Sequence, residues 1–292
     1  MIDGSLLRTR DGSLRAPWRL ATFAVLTFAA YMLTSVAATS FVSPVGASGE
    51  VSPGTLFATS VAALIAVFAA HVICVRWLER RPWSYVALER DAAEPARWWR
   101  AALLGSLAIG LPTLVLVLGG WMSILPAPAG RWWDLPLIAF ALLAPAALAE
   151  ELLLRGYLFR VLRDVSGPAG ALGITSVLFG LLHVGNPGAT PAIVGLVILA
   201  GVFLGGVLLA TGSLYAAWAA HLAWNWTLLA AFHTEVSGLR LPVSNYTIMD
   251  AGPDWATGGA WGPEGGAGAA VGMAAGLLYL HRVATAPRRK LA

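Results

Sequence analysis

The chain has 292 residues, of which 58% are hydrophobic and only 12% charged, with a mean hydropathy of +0.73. A soluble domain carries about 25% charged residues, so this composition excludes a surface wetted all round and makes lipid the solvent for much of the protein. The net charge of +4 is not a nucleic-acid signal, because the arginines gather at the ends of apolar runs; the expected partners are the lipid bilayer and a membrane-borne substrate, with no nucleic acid.

A helix that crosses a bilayer needs about 20 apolar residues. Residues 1–17 read as a basic cytoplasmic tail, with Arg8, Arg10 and Arg15 ahead of the first apolar run at 18–42. A signal peptide has a similar start, but its apolar region spans only about 7–15 residues, so the run reads as a retained signal-anchor helix. Further spans are expected at 55–77, 100–125, 135–162, 169–185, 190–211, 213–233 and 266–284, which makes about eight in all. The sole cysteine, Cys74, lies inside the second run, which leaves no internal disulfide. The segment 76–100 holds six arginines and reads as a cytoplasmic connector. Ser166-Gly167-Pro168 reads as the turn between the fourth and fifth spans. The loop 234–265, rich in Gly, Pro and Trp, reads as an ordered external cap. The final run is rich in Gly and Ala, which suits close helix packing in lipid.

Together these features predict an all-α, polytopic helix bundle, one integral membrane domain over residues 1–292. Arginines concentrate at the N-terminus, in 76–100, after the fourth span and at the C-terminus. By the positive-inside rule this places both termini in the cytoplasm and makes the plasma membrane the expected location.

Ionisable residues inside spans cost about 2.5–3.5 kcal/mol each near the bilayer centre and are functional candidates by default. The fourth span carries Glu150, Glu151 and Arg155, the fifth His183, and the seventh His221 with Asn225. Glu151 and Arg155 are i,i+4 and can pair on one helix face. Glu150 is turned about 100° away and is free to point elsewhere. His221 and Asn225 are also i,i+4, as are Phe179 and His183. Taken singly, each has a plainer reading: a snorkelling arginine, a packed histidine, an aromatic packing residue. His71 in the second span reads as a satisfied packing histidine, and His233 and Glu235 as loop residues. Two carboxylates, an arginine, two histidines and an asparagine in apolar helices are better explained by a shared site.

The strings Glu150-Glu151-x-x-x-Arg155, Phe179-x-x-x-His183 and His221-x-x-x-Asn225, in this order on successive helices, resemble the CPBP intramembrane proteases, also called the Abi family, to which type II CAAX prenyl endopeptidases belong. The continuation Arg155-Gly156-Tyr157-Leu158 is similar to the family pattern as well. The resemblance covers about residues 135–230. It implies an eight-span helical fold and peptide-bond hydrolysis in which Glu150, as general base, and His183 activate a water. It implies that His221 and Asn225 stabilise the oxyanion and that Glu151 and Arg155 brace the site. No cofactor is expected, because carboxylates that could orient a zinc-bound histidine are scarce in the spans, although members of the family are often labelled metalloproteases. A zinc ion on Glu150, His183 and His221 with an open position for water therefore stays open as an alternative, while the helical His-Glu-x-x-His string is absent.

Two other classes compete with the peptidase. A proton-coupled transporter could use Glu150 and Glu151 as a relay, but the chain lacks the repeated halves with broken helices that mark such folds. A non-catalytic scaffold or immunity protein could keep the motifs without the chemistry.

Overall fold

The structure is a computed structural model, and it describes residues 6–9, 14–40 and 52–285. The expected 1–17 tail is therefore only partly covered. Residues 43–51 and the basic positions Arg288, Arg289 and Lys290 lie outside the described residues.

In chain order the helices are α1 (Ala16–Thr39), α2 (Pro53–His71), α3 (Pro95–Leu118), α4 (Asp134–Arg155), α5 (Tyr157–Leu182), α6 (Pro191–Thr211), α7 (Leu214–Trp226), the short α8 (Asp254–Thr257) and α9 (Ala267–Thr285). Two π-helical turns, Val72–Leu78 and Thr227–Ala231, extend α2 and α7. The protein is thus an all-α membrane bundle, as its composition requires.

Among the described residues, six stretches are long and apolar enough to cross a membrane, against about eight expected. The difference has two sources. One stretch of 49 residues, Asp134–Leu182, takes in the fourth expected span and the fifth as far as Leu182. The seventh is covered by α7, 13 residues long, and its π-helical extension.

Local chemistry sets the helix ends. Pro53, Pro95 and Pro191 each open a helix at the position where a missing N–H costs nothing. The hydroxyls of Ser52, Thr190 and Ser213 accept the N–H groups of Thr55, Ile193 and Ala216 and so cap α2, α6 and α7. Gly167 breaks the helical path within α5 with φ 71° and ψ 176°, at the expected turn.

Two boundaries differ from the sequence reading. The third span ends at Leu118 rather than 125, because Met122–Pro126 forms a strand, β1. It pairs antiparallel with β2 (Tyr246–Asp250), with Ile124 opposite Ile248. The fourth does not continue to 162, because the helix is interrupted at Gly156.

The chain forms two compact units. The first comprises Met1–Asp91 and Ala141–Thr175, and in it α1 packs against α2. The second comprises Ala92–Phe140 and Ser176–Ala292, where α3 packs on α7 and α9, and α6 on α7 and α9. Glycine permits the closest approaches in this second unit. A Cβ at Gly272 of α9 would stand 1.7 Å from the Ala108 carbonyl oxygen, and one at Gly105 of α3 would stand 2.1 Å from that of Ala220. Small residues at such crossings are how helices pack where lipid removes the hydrophobic drive.

Candidate active site

In the first unit, Glu151 and Arg155 form the expected ion pair on α4. Arg155 Nη1 lies 3.2 Å from Glu151 Oε1, and both side chains are fully buried. The preceding Glu150 is only partly buried, as the turn between adjacent helical positions allows.

The break after Arg155 is made by a partner distant in sequence. His71, wholly buried, faces the Val67 carbonyl with Nδ1 at 2.8 Å and receives the Tyr157 backbone N–H on Nε2 at 3.0 Å. The imidazole therefore carries its proton on Nδ1 and caps the start of α5. Gly156 makes room for it, since a Cβ there would lie 2.2 Å from His71 Nε2 and 2.5 Å from the Leu152 carbonyl. Tyr157 is held at its other end as well: its hydroxyl donates to Glu79, which Arg19 grips through two bonds of 2.7 Å. His71 is thus a satisfied structural histidine, as its sequence context suggested. This arrangement predicts a clear outcome for Gly156→Ala. The new methyl group must displace His71 or tilt the end of α4, and overpacking of this kind costs about 1–3 kcal/mol. Thermal unfolding in detergent should show the loss, whereas a substitution at the solvent-exposed Gly185 should be near neutral.

The second unit holds His183 and His221. His183 is the first residue beyond α5 rather than a mid-helix position. Its Nδ1 is 2.8 Å from the Phe179 carbonyl, which fixes the proton there and leaves Nε2 as the free lone pair. The Phe179 ring, nearly fully buried, contacts both imidazoles, with centroids 4.8 Å from His183 and 5.8 Å from His221. Phe179 is therefore more than a neighbour of His183: it spaces the two histidines. His221 is buried on α7 and Asn225 lies one turn further along.

His183, His221 and Asn225 line one cavity with Phe179, Trp224, Ser237 and Glu264. Its water-sized space is about 40 Å³, enough for a bound water, which needs roughly 10–15 Å³ by the same measure. Two lone-pair or donor side chains and an amide around such a volume can orient a water and a polarised carbonyl.

The sequence reading missed Glu264. It sits in a 3-10 turn, Pro263–Gly265, just before α9. Its Oε2 accepts the Trp224 indole N–H at 3.1 Å and its Oε1 accepts the Ser237 backbone N–H. Burial pushes its carboxyl above the usual carboxylate range, and the two donated hydrogen bonds oppose that shift. The available signal was a lone acidic residue within Gly262-Pro-Glu-Gly-Gly266, with no neighbouring charge to suggest a solvated face. His233 and Glu235 are loop residues as expected, although buried: His233 stacks on Tyr246 at 3.9 Å and Glu235 pairs with Arg240.

Among the described residues, no three His, Cys, Asp or Glu side chains are arranged to hold a metal ion.

No curated protein matches the chain. Glu150, Glu151, Arg155, Phe179, His183, His221 and Asn225 all fall inside residues 131–227, and that segment matches the family model described as Type II CAAX prenyl endopeptidase Rce1-like, a family of membrane proteases and the one that the three motifs resemble.

Proposed function

We propose that the protein is an intramembrane endopeptidase that hydrolyses peptide bonds in membrane-associated peptides or proteins. The observation that carries this reading is the small cavity around His183, His221 and Asn225, inside the segment that matches a membrane-protease family. Glu150 takes a proton from water while His183 orients it through Nε2. The water oxygen attacks the carbonyl carbon, and the oxyanion accepts hydrogen bonds from His221 and Asn225, as acyl transfer requires. The proton then passes to the leaving amine. The buried Glu151–Arg155 pair holds the helix that carries Glu150.

The experiment combines a peptide panel with a proteoliposome flux assay on wild type and Glu150→Ala. Cleavage lost in the variant supports the peptidase; proton-coupled flux without cleavage supports a transporter; neither activity supports a scaffold.

The reaction as proposed uses no metal. The support is the scarcity of carboxylates to orient a zinc-bound histidine, with Glu151 already engaged by Arg155. Prolonged incubation with a strong chelator should leave cleavage intact. Activity that dies with chelator and returns with zinc, with about one metal per chain, would replace the water-only mechanism by metal activation.

The orientation follows the arginine distribution: both termini in the cytoplasm, the 234–265 cap outside, in the plasma membrane. A reporter at Ala292 should be active only as a cytoplasmic fusion, and activity confined to the outer side would reverse the topology.

A further inference from the structure

One polar chain, built around Ser237 and Glu264 beyond the matched segment 131–227, ties together both parts of the histidine cavity. Trp224, between His221 and Asn225 in the α7 sequence, donates its indole N–H to Glu264 Oε2 at 3.1 Å. Glu264 Oε1 accepts the backbone N–H of Ser237, and the Ser237 carbonyl accepts Asn186 Nδ2 at 2.9 Å. Asn186 belongs to the turn that begins at His183, with its own backbone N–H bonded to the His183 carbonyl at 3.1 Å. The chain of bonds therefore runs from the helix that bears His221 and Asn225, through Glu264 and Ser237, to the turn that bears His183.

The loop is built to hold that path. Ser237 and Gly238 both have positive φ, 51° and 75°. A Cβ at Gly238 would stand 2.1 Å from the Pro187 carbonyl oxygen, so the loop rests directly on the His183 turn. Trp261, fully buried, packs beside it. A carboxylate placed here accepts two N–H groups at once, which neither an amide nor a hydroxyl of similar size can do with two oxygens. Bonds to a charged acceptor are also roughly twice as strong as neutral ones.

We infer that Glu264 is a positioning residue of the catalytic cavity: it sets the separation of His183 from His221 and Asn225 by clamping Trp224 and Ser237. The inference rests on the peptidase reading for its effect on rate, and on geometry alone for the clamp. Displacement of catalytic groups by about 1 Å can cost on the order of 10²-fold in rate, and the clamp spans the groups whose spacing matters.

The test uses the full-length protein in detergent or nanodiscs, with Glu264→Gln, Glu264→Ala, Trp224→Phe and the double variant Glu264→Gln/Trp224→Phe. Glu264→Gln retains one acceptor oxygen and so leaves one of the two N–H groups without its bond. Its kcat should fall on the order of 10²-fold, with KM changed far less. Trp224→Phe should lose part of that rate, and the double variant should lose less than the product of the single losses, because both act through one bond. Hydrogen exchange over residues 233–241 reads the clamp with no substrate present: Ser237 should exchange faster in every Glu264 variant. If Glu264→Ala does not fold, Glu264→Gln and Trp224→Phe carry the comparison. A wild-type protein that cleaves nothing while Ser237 protection still depends on Glu264 would refute the peptidase reading and keep the clamp. Unchanged exchange at Ser237, or a kcat within about twofold of wild type in a folded Glu264→Gln, would overturn the clamp and leave the peptidase standing.

Discussion

Glu150→Gln should abolish peptide cleavage while leaving the fold intact. The amide keeps the size of the carboxylate and much of its hydrogen bonding but cannot take a proton from water. Loss of a single general base typically costs about 10²–10⁴-fold in rate. Folding should survive, since a neutral amide is cheaper to place in an apolar setting than a charge. The measurement is single-turnover cleavage of a membrane peptide alongside detergent melting. A variant that cleaves at the wild-type rate would remove Glu150 from the mechanism; a variant that fails to fold would make it a structural residue.

Arg155→Ala should behave in the opposite way, with stability the first thing lost. Both members of the Glu151–Arg155 pair are fully buried, so removing the guanidinium strips Glu151 of that partner inside the protein. Breaking a buried pair from one side typically costs about 3–5 kcal/mol, a large share of the total stability of an ordinary domain, about 5–15 kcal/mol. Folded yield and melting temperature should drop together, with activity falling as α4 loosens. Replacing both partners by apolar residues, as in Glu151→Leu/Arg155→Met, should recover much of the yield, because an apolar pair leaves no uncompensated charge. If Arg155→Ala expresses and cleaves like wild type, the pair contributes nothing to the site.

The contrast between these two variants reflects what sequence spacing can and cannot reveal. Glu151 and Arg155 are four residues apart on a helix, so their pairing follows from helical geometry alone, and the structure contains it. The same geometry placed His221 and Asn225 one turn apart on α7. The break at Gly156 was illegible because its cause is His71, 86 positions before the Tyr157 amide that it caps. The apolar run from 135 to 162 contains no signal that a distant imidazole replaces a helical carbonyl. The β1–β2 pair was illegible for a similar reason: Met122 meets Asp250 across more than a hundred residues, and five-residue segments carry little periodicity. Glu264 lay in a stretch whose Gly and Pro content reads as a loop, and nothing local indicated that its carboxylate reaches Trp224. Only ionisable residues inside apolar helices stood out, because there a charge has no inexpensive explanation.

The most direct measurement of the central claim is substrate trapping. Purified Glu150→Gln in native-like membranes should hold uncut substrates that co-purify and can be identified by mass spectrometry. Each trapped peptide, offered to the wild-type protein, should be cut at an internal bond to give a new amine and a new carboxylate, and the same peptide should stay intact with His183→Ala. Trapped peptides that the wild type leaves whole, or cuts no faster than His183→Ala does, would contradict the assignment of a peptidase to this site.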